Sequence, residues 1–518
     1  MSGVSNTDRR LAPDMSWNAL LNRLKAAVPD AFDGGGRAQN LIGGRWVPGE
    51  GARAYRSPVD ESDLGALPFA SPASAEAAVR HARDEFEAWS KVPLDERQRK
   101  VSACLDALRA NRDLLVRLLT WEIGKTPKAA AADVDRCISG VAWYVEQVGP
   151  MLDGRSPLGV VSNVASWNYP MSVMGHALLV QALCGNAVLA KTPTDGGLYT
   201  LTLFAALARE AGLPISLLSG SGAELAGAIL RTPLVACIAF VGGKTGGRDV
   251  VAKMARDDQR HMVEMEGVNA YGVWNFSDWP ALAAQVRQGY EYGKQRCTAY
   301  PRFVVQRRLF PAFLDMYLPV VKSLRVGNPA LEPPAGGPGL DFGPLINAKK
   351  VAELRGQIAD ALAAGAVPLH VGRLDPGDFA PGQSTATYLE PHVLLSPPRS
   401  SALYHHEPFG PVDTIVPVDT VEELVAEMNV SNGSLVASVA CDDPREAALI
   451  AGELRAFKVG VNRVRSRGDR DEVFGGVGAS WKGCFVGGKY LAEAVTAGAP
   501  GEQLYGNFPT YQRLPEPR

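Results

Sequence analysis

The sequence predicts an α/β protein of two tandem domains, each built on a largely parallel sheet. Three observations carry this. From residue 159 onward, short β-rich runs (GVVSNVA, NAVLAKT, ACIAFVG) alternate with helix-length stretches such as LYTLTLFAALAREAG, the texture of βαβ units. A second series of the same kind begins near residue 263, with AYGVW, RFVVQ, a helix in RLFPAFLDMYLPVVKSL, another over 348–364, and strands near 413 and 459. At 518 residues, finally, the chain is too long for one ordinary domain.

In order along the chain, residues 1–39 read as an appended leader. A short helical pattern, WNALLNRLKAAV, ends there in the flexible DGGG. Two helices rich in Ala, Leu, Arg and Glu follow, over 74–90 and 95–118. The expected division is a first α/β domain over 40–262, a second over 263–455, and a segment 456–518 that returns to the first domain and ends in a tail. Hydrophobic residues make up 46% and charged residues 21%, with a net charge of -2, so nothing points to nucleic acid as a partner. The most apolar run, MSVMGHALLVQALCGNAVLA, is broken by Gly175, His176, Gln181, Gly185 and Asn186, which makes it a poor membrane span. The 7 cysteines are odd in number and scattered, without zinc spacing, so a reducing, cytoplasmic compartment and no metal are expected.

Six stretches carry chemistry. In EYGKQRCTAY, Cys297 stands beside Lys294 and Arg296, cations of the kind that lower a thiol pKa; taken alone, it is also compatible with inert packing. VEMEGVNAYGVW places Glu264 between apolar residues, where partial desolvation suits a general base and a solvated strand end is the bland alternative. SNVASWNYP leaves a strand for a helix, and the Asn168 amide there can donate to an oxyanion or simply make a turn. VLAKTPTDGG ends a strand in Lys191 and Thr194, and FVGGKTGG ends one in a glycine-rich turn that lets backbone N–H groups meet a pyrophosphate. HHEPFGPV presents Glu407 and Phe409 in a proline-bounded loop, a ligand clamp or a rigid turn.

Taken in this order, these segments resemble the aldehyde dehydrogenase superfamily, from about residue 40 to about residue 492. NLIGGRWVPG is similar to its entry segment, SWNYP to its oxyanion motif, KTPT to its ribose lysine, FVGGKTGG to its glycine turn, VEMEG to its general base, KQRCTA to its nucleophile and EPFGPV to its nicotinamide-ribose clamp. The resemblance implies an aldehyde dehydrogenase-like fold with two Rossmann-like domains, in which Cys297 attacks an aldehyde, Asn168 and the Cys297 N–H hold the oxyanion, and Glu264 activates water. It assigns Ser166, Trp167, Lys191, Thr194, Gly242, Gly243, Gly247, Glu407 and Phe409 to the dinucleotide. Many NAD-preferring members carry Glu where this chain has Thr194; without that carboxylate NADP is the expected cofactor, with NAD as the alternative.

The closest branch by resemblance is the non-phosphorylating glyceraldehyde-3-phosphate dehydrogenases, which share the Thr, the QRCTA segment and an RGxD stretch, here in SRGDRDEVFGG. It matches Arg136, Arg296 and Arg467 to arginines that hold a substrate phosphate, so a small anionic aldehyde is expected, although surface or interdomain ion pairs explain such arginines equally well. Four positions depart from the family pattern: Lys294 and Glu266 stand where it has Gly, Gly243 where it has Ser, and Phe485 where it has Glu. Glu266 and Lys294 are expected either to pair with each other or to narrow the nicotinamide path. The family's long hairpin between ISGVAWYVEQVG and GVVSNVA is also missing, replaced by PMLDGRSP, so a homodimer rather than a tetramer is expected. Two alternatives to the dehydrogenase remain: a thiol esterase or acyl-transfer enzyme that has lost hydride transfer, and a non-catalytic dinucleotide-binding descendant.

Overall fold

The computed structural model describes residues 11, 13–164, 166–256, 259–332, 339–431, 433–466, 470–502, 504 and 506. Two large sheets organise them. The first has 8 strands, in the order Arg45–Val47, Asn40–Ile42, Ile215–Leu218, Ala187–Lys191, Val160–Val164, Val235–Gly242, Arg260–Met265 and Trp481–Gly483. Its five inner strands run parallel, and antiparallel strands close both sides. Helices cover both faces, so the central strands are apolar almost throughout rather than alternating.

The second sheet has 7 strands, in the order Val367–Val371, His392–Leu395, Val412–Val418, Arg302–Gln306, Ala270–Val273, Val436–Ala440 and Lys458–Val461. Only the pairing of Val367–Val371 with His392–Leu395 is antiparallel. The two expected α/β units are therefore present, with shifted edges. A division after 262 cuts the strand Arg260–Met265, which pairs along its whole length with Val235–Gly242 of the first sheet. Likewise Lys458–Val461 is the edge of the second sheet, and the chain returns to the first only at Trp481–Gly483. In both cases the hydrogen-bond partner decides membership, and a partner distant in sequence leaves no local signal.

Local chemistry sets the helix ends. Ser71 and Thr126 each accept a bond from the backbone three residues on, and each precedes a Pro in the first turn of the helices Pro72–Trp89 and Pro127–Met151. The described part of the leader is docked. Its helix Trp17–Ala27 buries Trp17, Leu20 and Leu24, and Trp17 packs against Trp121 and Tyr199 at ring separations of 6.5 and 5.2 Å. After the helix Pro127–Met151 no long hairpin follows. Ser156–Pro157 makes a two-residue ladder with Thr496–Ala497, and Arg155 ties the junction by bonds to Thr496 and Glu502. No helix among the described residues is long and apolar enough to cross a membrane.

Candidate functional site

Parallel strands end together, and the site grows from that edge. The register puts Val164 beside Lys191 on one side and Phe240 on the other, and sets Glu264 beside Val241 and Met265 beside Gly242. The segment Ser166–Asn168, the Lys191 strand end, the turn at Gly242 and Gly243, and Glu264 are thus carried to one rim of the first sheet. Glu264 is buried and lines a cavity of about 40 Å³ with Asn163, Gln181, Met262 and Trp481, large enough for a water.

The second domain brings the nucleophile loop to this rim. Six of the cysteines are buried, and burial pushes the thiols of Cys104, Cys184 and Cys484 up to about 12. Cys297 alone is partly exposed. Its loop begins with three successive left-handed residues, Tyr292, Gly293 and Lys294, at φ of 58°, 59° and 60°. Such a turn costs roughly 1–2 kcal/mol at each non-glycine residue and needs strong anchors. The Tyr292 hydroxyl donates to Ile123 O at 2.8 Å, and the buried Lys294 ammonium donates to Tyr300 O at 2.9 Å and pairs with Asp413. Asp413 in turn accepts a bond from Tyr290 at 2.8 Å and another from Tyr317.

Lys294 therefore does not pair with Glu266. Its partner lies on the strand Val412–Val418. Burial, opposed by Asp413, holds the Lys294 pKa below its ordinary value. Arg296 is likewise occupied: it donates to Gly289 O and Gln288 O at 2.9 and 3.2 Å and lies 3.4 Å from Glu291.

Asn168 joins the two domains at this point. Its side-chain amide, buried, donates to Gln295 O at 2.9 Å, two residues before the nucleophile. A π-helical turn, Pro170–Gly175, follows it at once. Asn269 is a positioning residue that sequence reasoning missed. Fully buried, it donates to Cys297 O at 2.7 Å and Ala299 O at 2.8 Å, while its carbonyl accepts from Ser434, Leu435 and Val436. Its one signal was its place just after VEMEGV.

Among the residues expected to hold a dinucleotide, Glu407 is the most telling. It is buried, neither carboxylate oxygen has a hydrogen-bond partner among the described residues, and burial together with the nearby Glu266 charge pushes its pKa well above the carboxylate range. Phe409, at φ 50°, meets Trp167 edge-on at 5.7 Å across the domain boundary. Gly243 opens the helix Lys244–Ala252, and a side chain there would have only Glu266 near it, at 3.8 Å. Gly247 instead seats this helix on the strand Arg260–Met265, since a Cβ there would fall 2.4 Å from Met265.

Lys191 donates to Thr192 O, and burial lowers its pKa to about 8 against the pull of Asp195. Thr194 is half-buried beside it. The carboxylate nearest this lysine in sequence is Asp195, one residue beyond Thr194, and Arg53 holds it at 2.9 Å. Arg136 is exposed and makes no hydrogen bond or ion pair among the described residues, and its charge, like that of Arg296, reaches the Tyr169 hydroxyl. Arg467 lies outside the described residues. Close by, Lys125 is fully buried against Asp133 at 2.8 Å and sits 3.8 Å above the Tyr169 ring. No group of three or more His, Cys, Asp or Glu among the described residues is placed to hold a metal.

Comparison with known proteins gives the family. The chain is 28% identical over 448 residues to the mitochondrial succinate-semialdehyde dehydrogenase of Rattus norvegicus, covering 82% of this chain and 83% of that protein. It is 27% identical over 477 residues to a glutarate-semialdehyde dehydrogenase of Pseudomonas aeruginosa, covering 88% and 95%. The solved NADP-dependent glyceraldehyde-3-phosphate dehydrogenase of Bacillus halodurans, complexed with NADP, superposes with a TM-score of 0.80 at 26% identity, covering 89% of this chain and 98% of that one. With the model of the aldehyde dehydrogenase family matching residues 46–497, the chain belongs to that family.

Proposed function

We propose that the protein oxidises a small anionic aldehyde to the carboxylic acid with NADP, or with NAD, through a thioester on Cys297. The observation that carries this is the Asn168 bond to Gln295 O, which ties an oxyanion donor of the first domain to the nucleophile loop of the second. The residues fit a dinucleotide on this structure's own terms. Glu407 offers two buried, unpartnered carboxylate oxygens suited to ribose hydroxyls, and the open N-terminus at Gly243 suits a pyrophosphate. Lys191, with Arg53 drawing off the charge of Asp195, suits a 2'-phosphate.

The Cys297 thiolate adds to the aldehyde carbon, and the carbonyl oxygen, now anionic, takes hydrogen bonds from the Asn168 amide and the Cys297 N–H. A dinucleotide held by Glu407, Lys191 and the turn at Gly243 would supply the acceptor for the hydride that leaves this carbon. The carbon is left as a thioester of Cys297. Glu264 then takes a proton from water, the resulting hydroxide adds to the thioester, and the C–S bond breaks to return the thiolate and release the acid. Asn269 holds the carbonyls of Cys297 and Ala299 throughout, which fixes the backbone that follows the nucleophile.

The relatives named for succinate and glutarate semialdehydes, and for glyceraldehyde 3-phosphate, are named for small aldehydes that bear an anionic group. Arg136, exposed and unpaired among the described residues, is the cation proposed to meet such a group, with Arg296 as the second. Without the long hairpin, a homodimer is the assembly proposed, to be read by light scattering. Turnover is tested by the absorbance of reduced nicotinamide, with NADP and with NAD, over neutral propanal and benzaldehyde and over succinic semialdehyde and glyceraldehyde 3-phosphate. Faster oxidation of the anionic pair supports the reading, and ester hydrolysis without reduction of either dinucleotide would replace it with the esterase.

A further inference from the structure

Glu266 is the acidic group of the site that the reaction above does not use. Its backbone carbonyl accepts a bond from Ser480 at 2.8 Å, which fixes the residue just beyond the strand that carries Glu264. One carboxylate oxygen lies 3.8 Å from where a side chain on Gly243 would begin. The other lies 3.8 Å from the Nδ1 of His406, the residue before Glu407. Its charge reaches both Lys244, at the start of the helix after the glycine turn, and the buried Glu407 carboxylate. The carboxylate thus stands between the turn suited to a pyrophosphate and the carboxylate suited to the nicotinamide ribose. In a dinucleotide those two groups are joined directly, and the nicotinamide ring follows the ribose.

We propose that Glu266 sets the ratio in which the groove holds oxidised and reduced dinucleotide, opposing the reduced form more strongly. This rests on the dinucleotide reading given above. The oxidised ring carries a positive charge that a neighbouring carboxylate attracts, and this attraction offsets the repulsion between that carboxylate and the pyrophosphate. Hydride transfer removes the ring charge and leaves the repulsion alone. Glu266 is then a residue of product release, at a position that needs no contact with the aldehyde.

The test is equilibrium binding to the full chain, by fluorescence of NADPH and NADH and by calorimetry for NADP and NAD. In Glu266→Gln, nearly the same in shape and without charge, the reduced form is expected to bind roughly fivefold more tightly and the oxidised form to gain less. In Glu266→Asp, which keeps the charge, the wild-type ratio is expected to persist. A gain for the reduced form no larger than that for the oxidised form, or a ratio shifted in Glu266→Asp as far as in Glu266→Gln, overturns the proposal. If the wild-type chain binds none of the four dinucleotides, the cofactor reading itself falls, and this proposal with it.

Discussion

Replacing Glu407 with Gln should stabilise the unliganded protein while weakening its hold on a dinucleotide. The carboxylate is buried with neither oxygen hydrogen-bonded, and burial, then repulsion from Glu266, raises its pKa, with Lys350 and Lys244 only partly opposing. The sign follows from linkage. The folded pKa lies above the unfolded value near 4.5, so the unfolded chain ionises first as pH rises. Stability is therefore greatest below that value and falls above it, by up to about 1.4 kcal/mol per pH unit, until the folded pKa is passed. Gln cannot ionise and escapes this fall. At about pH 5 the two proteins should differ little, and near neutral pH the variant should gain about 1–3 kcal/mol, the scale of a buried polar group left unpaired.

Urea unfolding followed by far-ultraviolet circular dichroism, at several pH values from about 5 to about 8, reads both the gain and its slope. Over the same range, dinucleotide affinity should fall roughly tenfold, because the amide offers the ribose hydroxyls one acceptor oxygen where the carboxyl group offers two. A variant that is less stable than wild type near neutral pH, or whose stability tracks pH in the same way, would refute the claim that this carboxylate is strained in the free protein.

Three further substitutions test the site. Cys297→Ala should abolish aldehyde oxidation and leave dinucleotide affinity within about twofold of wild type, the lost group being a reactant rather than a cofactor contact; turnover above a small fraction would remove Cys297 from the reaction. Asn269→Leu strips partners from the nucleophile loop and from Leu435 and Val436 together, and should cost about 2–4 kcal/mol in urea unfolding while slowing alkylation of Cys297 by iodoacetamide. Lys191, with a pKa of about 8 in the free protein, loses the charge that attracts a 2'-phosphate as pH rises. NADP affinity should therefore decline above that pH by up to about tenfold per unit, and Lys191→Met should flatten the profile without changing that of NAD.

Residues that follow strand ends were legible in the sequence because chain connectivity places them. Asn168, Lys191, Gly243 and Glu264 each lie at or just beyond a short apolar run, and parallel strands brought together by right-handed crossovers must end on one rim. The leader helix and the loss of the long hairpin could be read for the same reason, since each is a property of one continuous segment. The places where expectation and structure part are of another kind. Lys294 meets Asp413 and not Glu266, Gly247 packs its helix closely against Met265, Asp195 acts on Lys191 from the position after Thr194, and Asn269 fastens the nucleophile loop to a strand that follows it by more than a hundred residues.

The sequence by itself determined the order of the strands and helices, the two α/β units and which side chains arrive at the rim, because hydrophobic periodicity and turn chemistry act over a few neighbouring residues. Only the tertiary structure decided which charges are neutralised and which stay poised. That choice depends on burial and on partners set by sheet register between distant segments: it buries Lys294 against Asp413, and it leaves Glu407 without a hydrogen bond and Glu266 standing between two parts of the groove.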